Sequence, residues 1–188
     1  MITETKLPKV VSEQLPPNPF AFEVFELVSK QKSDAKKSEI LKQYGHDSVK
    51  SLLIWNFDES VMSLLPQGLV PYASVGKQNV VSGNLSDNIA RSVEMMSELN
   101  SNSIGSQDQG RTSIRKEFTY FYNFVKGGNN RLSSRKRETM FINILEGLHP
   151  LEAEILMLVK DKKLQTKYNI SKNNAEQAFP DIQWGDRS

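Results

Sequence analysis

Apolar residues in this chain recur at helical spacing in short runs, and each run is closed by a proline, a glycine or a capping residue. That punctuation leaves short helices that can bury their faces only against one another. The first run, Phe22, Val24, Phe25, Leu27 and Val28, follows Asn18-Pro19, which read as N-cap and first helical position. A second helix is expected from about Ser33 to Tyr44. Ser33 or Asp34 caps it, Ile40, Leu41 and Tyr44 face inward, and Gly45 is a left-handed terminator. A third begins at Asp47, read as its cap, and carries Val49, Leu52, Leu53 and Trp55. Asp58 is expected to cap a short fourth helix through Val61, Met62, Leu64 and Leu65.

The second half repeats the pattern. A helix from about Thr112 to Lys126 presents Ile114, Phe118, Phe121, Tyr122 and Val125 and stops at Gly127-Gly128. Another runs from Ser133 or Ser134 to Glu146, with Met140, Phe141, Ile144, Leu145 and Leu148 inward. Pro150, after His149 at the cap, opens a third with Leu151, Ile155, Leu156, Leu158 and Val159. Ser171 caps a last short helix, which Pro180 stops at Phe179.

Two stretches break the pattern. Pro8, Pro16, Pro17 and Pro19 make residues 1–18 an extended arm. Residues 66–110 read as turns or a strap, with strands conceivable only at 66–82. A helix is expected at about Asp87–Leu99, within a flexible Ser/Asn-rich insert at 82–110. The expectation is all-α: a compact bundle of about seven or eight short helices in one domain, residues 19–188, with an extended arm and a long irregular mid-chain segment.

Composition narrows the chemistry. With 188 residues, 38% apolar and 24% charged, one ordinary core is affordable. There is no cysteine, which excludes disulfides, thiolate nucleophiles and Cys-based metal sites. Only His46 and His149 are present, so a His-rich metal site is excluded as well. No catalytic residue, metal or cofactor is expected: nucleophile elbow, Walker loop and two-histidine helix motifs are all missing. The N-terminus lacks a signal-like apolar stretch and no apolar run reaches a bilayer's thickness, so no membrane role is expected.

Net charge is +2, but it is unevenly spread: residues 1–110 carry 10 Lys/Arg against 13 Asp/Glu, and residues 111–188 carry 14 against 9. Between Arg111 and Arg137 stand eight basic residues and one acid, Glu117. Arg115, Lys116, Arg131, Arg135, Lys136 and Arg137 are the candidate nucleic-acid contacts, beside Tyr120, Phe121, Tyr122 and Phe124. Cations neutralise phosphates and aromatic faces stack on bases, which together is the chemistry of single-strand binding. The bland alternative is a solvated basic face with its aromatics in the core. The run Val159-Lys160-Asp161-Lys162-Lys163 reads as a solvated helix end. The Gly147–Pro150 turn reads as a helical hairpin rather than a DNA-reading pair. Its second helix opens with Glu152 and Glu154, which repel phosphate.

Several short segments fall in a suggestive order. They include Lys42-Gln43-Tyr44-Gly45, Leu65-Pro66-Gln67-Gly68-Leu69-Val70-Pro71-Tyr72, Phe124-Val125-Lys126-Gly127-Gly128 and Lys136-Arg137-Glu138. Phe141 to Pro150, Val159-Lys160-Asp161-Lys162 and Ala178-Phe179-Pro180 complete the series. Together they resemble a family of uncharacterised proteins from T4-like tailed phages, especially those of marine cyanobacteria. The resemblance implies a protein made in the host bacterial cytoplasm, and carries over no catalytic residue. The leading expectation is a non-enzymatic phage accessory protein that binds a macromolecule, either nucleic acid or the replication and transcription machinery. The alternatives are a virion structural or assembly component that grips neighbours through the arm and the 66–110 strap, and a small inhibitor of a host enzyme.

Overall fold

The computed structural model describes residues 14–68, 70 and 111–187. These residues form seven α-helices: α1 (Ala21–Ser29), α2 (Asp34–Tyr44), α3 (Asp47–Phe57), α4 (Ile114–Glu117), α5 (Ser134–Gly147), α6 (Pro150–Lys160) and α7 (Lys172–Ala178). Two 3-10 segments, Phe118–Phe124 and Leu164–Thr166, complete the set. Extended pairing among the described residues is confined to an isolated bridge between Ser63 and Val125. The protein is an all-α compact bundle. The expected 87–99 helix, the insert and residues 1–13 of the arm lie outside the described residues.

Helix α3 runs through the middle, packed against α4, α6, α7 and the first 3-10 segment, while α2 is clasped between α1 and α7. The core has one continuous cluster, with Phe25, Leu41, Leu52, Leu53, Phe124, Phe141, Leu145, Ile155 and Leu156 wholly buried. Each such side chain contributes roughly 1.5–3 kcal/mol through burial, which is what holds helices too short to stand alone.

Several caps fall where the sequence places them. Ser133 Oγ accepts the Lys136 N–H at 3.4 Å. His149 Nδ1 accepts the Leu151 N–H at 3.1 Å, with Pro150 in the first turn. Ser171 and Asn174 bond reciprocally at 3.2 and 3.0 Å.

Other expectations are corrected. Helix α1 starts at Ala21, not Pro19, because Glu23 Oε2 takes the Phe20 N–H at 2.8 Å, leaving Asn18 no capping role. Helix α3 is capped by His46, with Asp47 one place inside. Gly45 is not left-handed (φ −73°). It is glycine because a Cβ would stand 2.2 Å from Leu41 O and 2.3 Å from the Phe179 ring.

The helix expected after Asp58 does not form. Asp58 Oδ1 instead accepts the Ser60 N–H and O–H at 2.9 and 2.7 Å, turning the chain. Beyond the turn, Leu64 N–H bonds to Phe124 O and Lys126 N–H to Met62 O, both at 2.8 Å. These cross-chain partners replace the intrahelical ones.

The expected 112–126 helix is also redrawn. It is a single α-turn followed by a seven-residue 3-10 segment. Phe118, Phe121 and Phe124 recur every third residue, and 3-10 winding stacks residues three apart into one ridge. That ridge meets Trp55, whose ring lies 5.4 Å from Phe121 and 6.2 Å from Phe124, while Phe124 meets Phe141 edge-on at 5.3 Å.

Of the Val159–Lys163 run only Lys163 is a solvated end. Lys160 is buried, and its Nζ donates to Pro66 O and Gly68 O at 2.8 Å and to Asp161 Oδ1 at 2.7 Å. Lys162 Nζ donates to Trp55 O at 2.9 Å and Asp58 O at 2.6 Å. Residues that end α6 thereby fasten the 58–68 segment.

Candidate functional site

The 3-10 winding divides the aromatics of residues 118–124. Phe121 and Phe124 are buried, whereas Tyr120 and Tyr122 are each 51% exposed. Both tyrosines therefore offer ring surface to solvent from a backbone anchored by its phenylalanines. Flanking Ser63 in the Ser63–Val125 bridge, Met62 and Leu64 are also exposed.

The candidate cations divide as well. Lys116, Arg131, Arg135 and Lys136 are exposed, Arg115 is half-buried, and Arg137 is only 5% exposed. Arg137 is thereby removed from the phosphate-contacting set. Its Nε donates to Asn123 O at 2.8 Å, and its terminal nitrogen to Leu132 O at 3.0 Å and Asn129 O at 3.3 Å. Neighbouring contacts extend this knot. Asn123 Nδ2 donates to Tyr120 O at 2.9 Å, and Asn129 Nδ2 donates to Asn123 Oδ1 at 2.8 Å. Arg137 thus ties the first turn of α5 and the 129–132 turn to the tyrosine-bearing segment. The exposed Arg131, Arg135 and Lys136 sit on the very elements it gathers.

Gly127 and Gly128 make this turn possible for two different reasons. Gly127 has φ +82°, a left-handed conformation that side chains resist. At Gly128 a Cβ would fall 1.8 Å from the Tyr122 carbonyl oxygen, so the close approach of the turn to the tyrosine segment requires glycine.

Arg115 and Lys116 face a second feature. A cleft of about 260 Å³ is lined by Asn18–Ala21, His46, Arg111–Ser113, Arg115, Lys116 and Glu152. Glu152, 1% exposed, accepts the Ile114 N–H at 2.9 Å and the Ala21 N–H at 3.4 Å, joining the first turns of α1, α4 and α6. Burial pushes its carboxyl up to about 7, against the pull of those two bonds and of Arg115. His46 is pushed the other way, down to about 4, by burial and by the Arg115 charge. Its Nδ1 contacts Ser48 Oγ, and its buried Nε2 faces the Pro19 carbonyl without a well-formed hydrogen bond. Arg115 itself donates to Pro19 O at 3.2 Å, which fixes its guanidinium at the cleft wall.

His149 is a helix cap stacked on Phe22 at 4.8 Å. No group of three or more His, Asp or Glu among the described residues is arranged to hold a metal ion. No helix among them is long and apolar enough to cross a membrane.

Residues 24–96 and 98–166 match the model of a family of unknown function (DUF6433), well over half of the chain. The chain belongs to that family. No curated protein and no solved structure matches it. The DUF6433 match spans the tyrosine segment, Arg111–Arg137 and Glu152, while α7 and the chain after it lie beyond.

In this DUF6433 chain, Glu152, read from the sequence only as an acid that repels phosphate, is a buried acceptor. Its spacing did carry the signal: Ile155, Leu156 and Val159 follow at three, four and seven residues, which puts Glu152 on the buried face. Arg137 carried the same kind of signal, four residues before Phe141 and seven before Ile144.

Proposed function

We propose that this protein is a non-enzymatic accessory factor that binds single-stranded nucleic acid through Tyr120 and Tyr122 and the cations around them. The observation that carries the reading is the pair of half-exposed tyrosines on a rigidly anchored segment, knotted through Arg137 to elements bearing Arg131, Arg135 and Lys136. Exposed rings on a fixed backbone stack on bases with little ordering cost, and cations at the flanks neutralise the phosphates between them. Arg115 and Lys116 extend the basic surface toward the cleft. Resemblance to proteins of T4-like tailed phages adds a setting: replication or transcription in the cytoplasm of an infected bacterium.

The test is binding of a fluorescent single-stranded oligonucleotide across a salt series. Affinity should fall steeply with salt, and Tyr120→Ser with Tyr122→Ser should weaken it at every salt concentration. Absence of binding at low salt contradicts the reading.

A second reading, docking onto a protein during virion assembly, draws on the exposed Met62 and Leu64. Recovery of the protein in purified particles, with no affinity for oligonucleotides, favours it. The third, inhibition of a host enzyme, has no structural observation of its own.

A further inference from the structure

The cleft between α1, α4 and α6 has a charge pattern that the bundle does not need for its own stability. Of its lining residues, three are cations, Arg111, Arg115 and Lys116, and one is an acid, Glu152. That acid forms no ion pair with them: its two oxygens are directed at the Ala21 and Ile114 N–H groups, and only Arg115 acts on it, through space. The side chains of Arg111 and Lys116 make no hydrogen bond or ion pair to any described residue, and both are exposed at the rim. Arg115 is held in place by the Pro19 carbonyl, so one guanidinium is already oriented before any ligand arrives. Like charges brought this close repel one another, and a bound anion removes that cost.

We propose that this cleft binds a phosphate monoester, gripped by Arg111, Arg115 and Lys116. A planar guanidinium fixed at the wall suits two oxygens of a phosphate, and a mobile ammonium completes the shell as a point charge. A cleft of about 260 Å³ exceeds the roughly 30 Å³ share of one water several-fold, so it admits the phosphate together with part of the group it esterifies. The esterifying group projects outward past the exposed Asn18, away from the buried Glu152. A phosphate of this kind stands at the end of a nucleic-acid strand or on a free sugar phosphate, and the chemistry of recognition is shared. The inference shares Arg115 and Lys116 with the basic surface of the proposed function, whereas Arg111 and the cleft belong to it alone and the tyrosines take no part in the grip.

The experiment is calorimetric titration of the full chain at low salt with ribose 5-phosphate. In parallel, a 5′-phosphorylated hexanucleotide and its 5′-hydroxyl twin are titrated. The wild type should bind ribose 5-phosphate, or prefer the phosphorylated hexanucleotide at least tenfold; the first result assigns the site to free sugar phosphates and the second to strand ends. Arg111→Ala with Lys116→Ala, both at exposed positions, should remove at least tenfold of that binding with the unfolding midpoint unchanged. Tyr120→Ser with Tyr122→Ser should leave ribose 5-phosphate binding intact, which separates this site from the tyrosine surface. Failure of both phosphorylated probes to bind in preference to the hydroxyl twin, or equal binding by the Arg111/Lys116 variant, overturns the proposal.

Discussion

Two runs of basic residues look alike in the sequence, Arg131 to Arg137 and Lys160 to Lys163, yet the fold uses them in opposite ways. Lys160 and Lys162 turn their ammonium groups onto backbone carbonyls of the 55–68 stretch, and so serve as rivets. Arg131, Arg135 and Lys136 stay at the surface, and only Arg137 in that run behaves like the rivets. The difference follows from what each run has nearby. The 58–68 segment is irregular and half-buried, so its carbonyls need donors that no helix supplies. Around α5 the carbonyls needing such help are those of Asn123, Asn129 and Leu132, and one arginine with several donors serves all three. The remaining cations of that run are left to the surface, where a ligand can use them.

The comparison breaks most sharply at Lys160. Lys160→Met should cost about 3–5 kcal/mol in urea unfolding, because it strands the Pro66 and Gly68 carbonyls and the Asp161 carboxylate. Arg137→Met should cost about 2–3 kcal/mol, from three carbonyls that lose a charged donor. It should also weaken oligonucleotide binding indirectly, by loosening the tyrosine segment.

At the exposed end of the comparison, Tyr120→Ala and Tyr122→Ala should each leave stability within about 0.5 kcal/mol. Each should lower oligonucleotide affinity by about 1–3 kcal/mol. A tyrosine variant that unfolds the protein would place its ring in the core after all.

The cleft gives the most distinctive effect. Glu152 is raised from 4.5 to about 7 in the folded protein, so between those values the folded state holds a proton that the unfolded chain has released. Stability from this group is fully present below pH 4.5 and declines as pH rises toward 7, by at most about 1.4 kcal/mol per pH unit. His46, lowered from 6.5 to about 4, acts in reverse, and its contribution is lost as pH falls from 6.5 toward 4. Arg115 faces both groups, with Glu23 near the first and Asp47 near the second. The Glu152 and His46 slopes oppose each other between pH 4.5 and 6.5, and His149, also lowered by burial, adds to the rising one, so the wild type should rise only gently there. Glu152→Gln should uncover a stability that rises more steeply with pH across that window, measured by urea midpoints at half-unit steps.

What could be read from the sequence was whatever local spacing decides. Ser133, His149-Pro150 and Ser171 mark helix starts through side chains acting on their own first turn, so α5, α6 and α7 were legible to within a residue. The failures share one cause, which is partners distant in the chain. Residues 61–65 carry enough apolar side chains for a helical face, but the 124–126 backbone takes their hydrogen bonds. Residues 118–124 wind as a 3-10 segment because Trp55 and Phe141 fix the spacing of their phenylalanines. For the candidate site, the charge excess of Arg111–Arg137 was visible, as was its mixture with aromatics. The division of labour within it, Arg137 inside and Arg135 and Lys136 outside, depends on which carbonyls happen to lack donors. The cleft escaped notice entirely, since Phe20, His46, Arg115 and Glu152 meet only in the fold.

The central claim is that Arg137 builds the surface and its exposed neighbours use it. It is tested most directly by measuring urea unfolding and oligonucleotide affinity together, for Arg137→Met and for the Arg131→Ala, Arg135→Ala, Lys136→Ala triple variant. The account predicts that Arg137→Met loses stability by about 2–3 kcal/mol, while the triple variant keeps its unfolding midpoint and loses most of its salt-dependent binding. A triple variant that binds as tightly as the wild type, or an Arg137→Met protein as stable as the wild type, would contradict it.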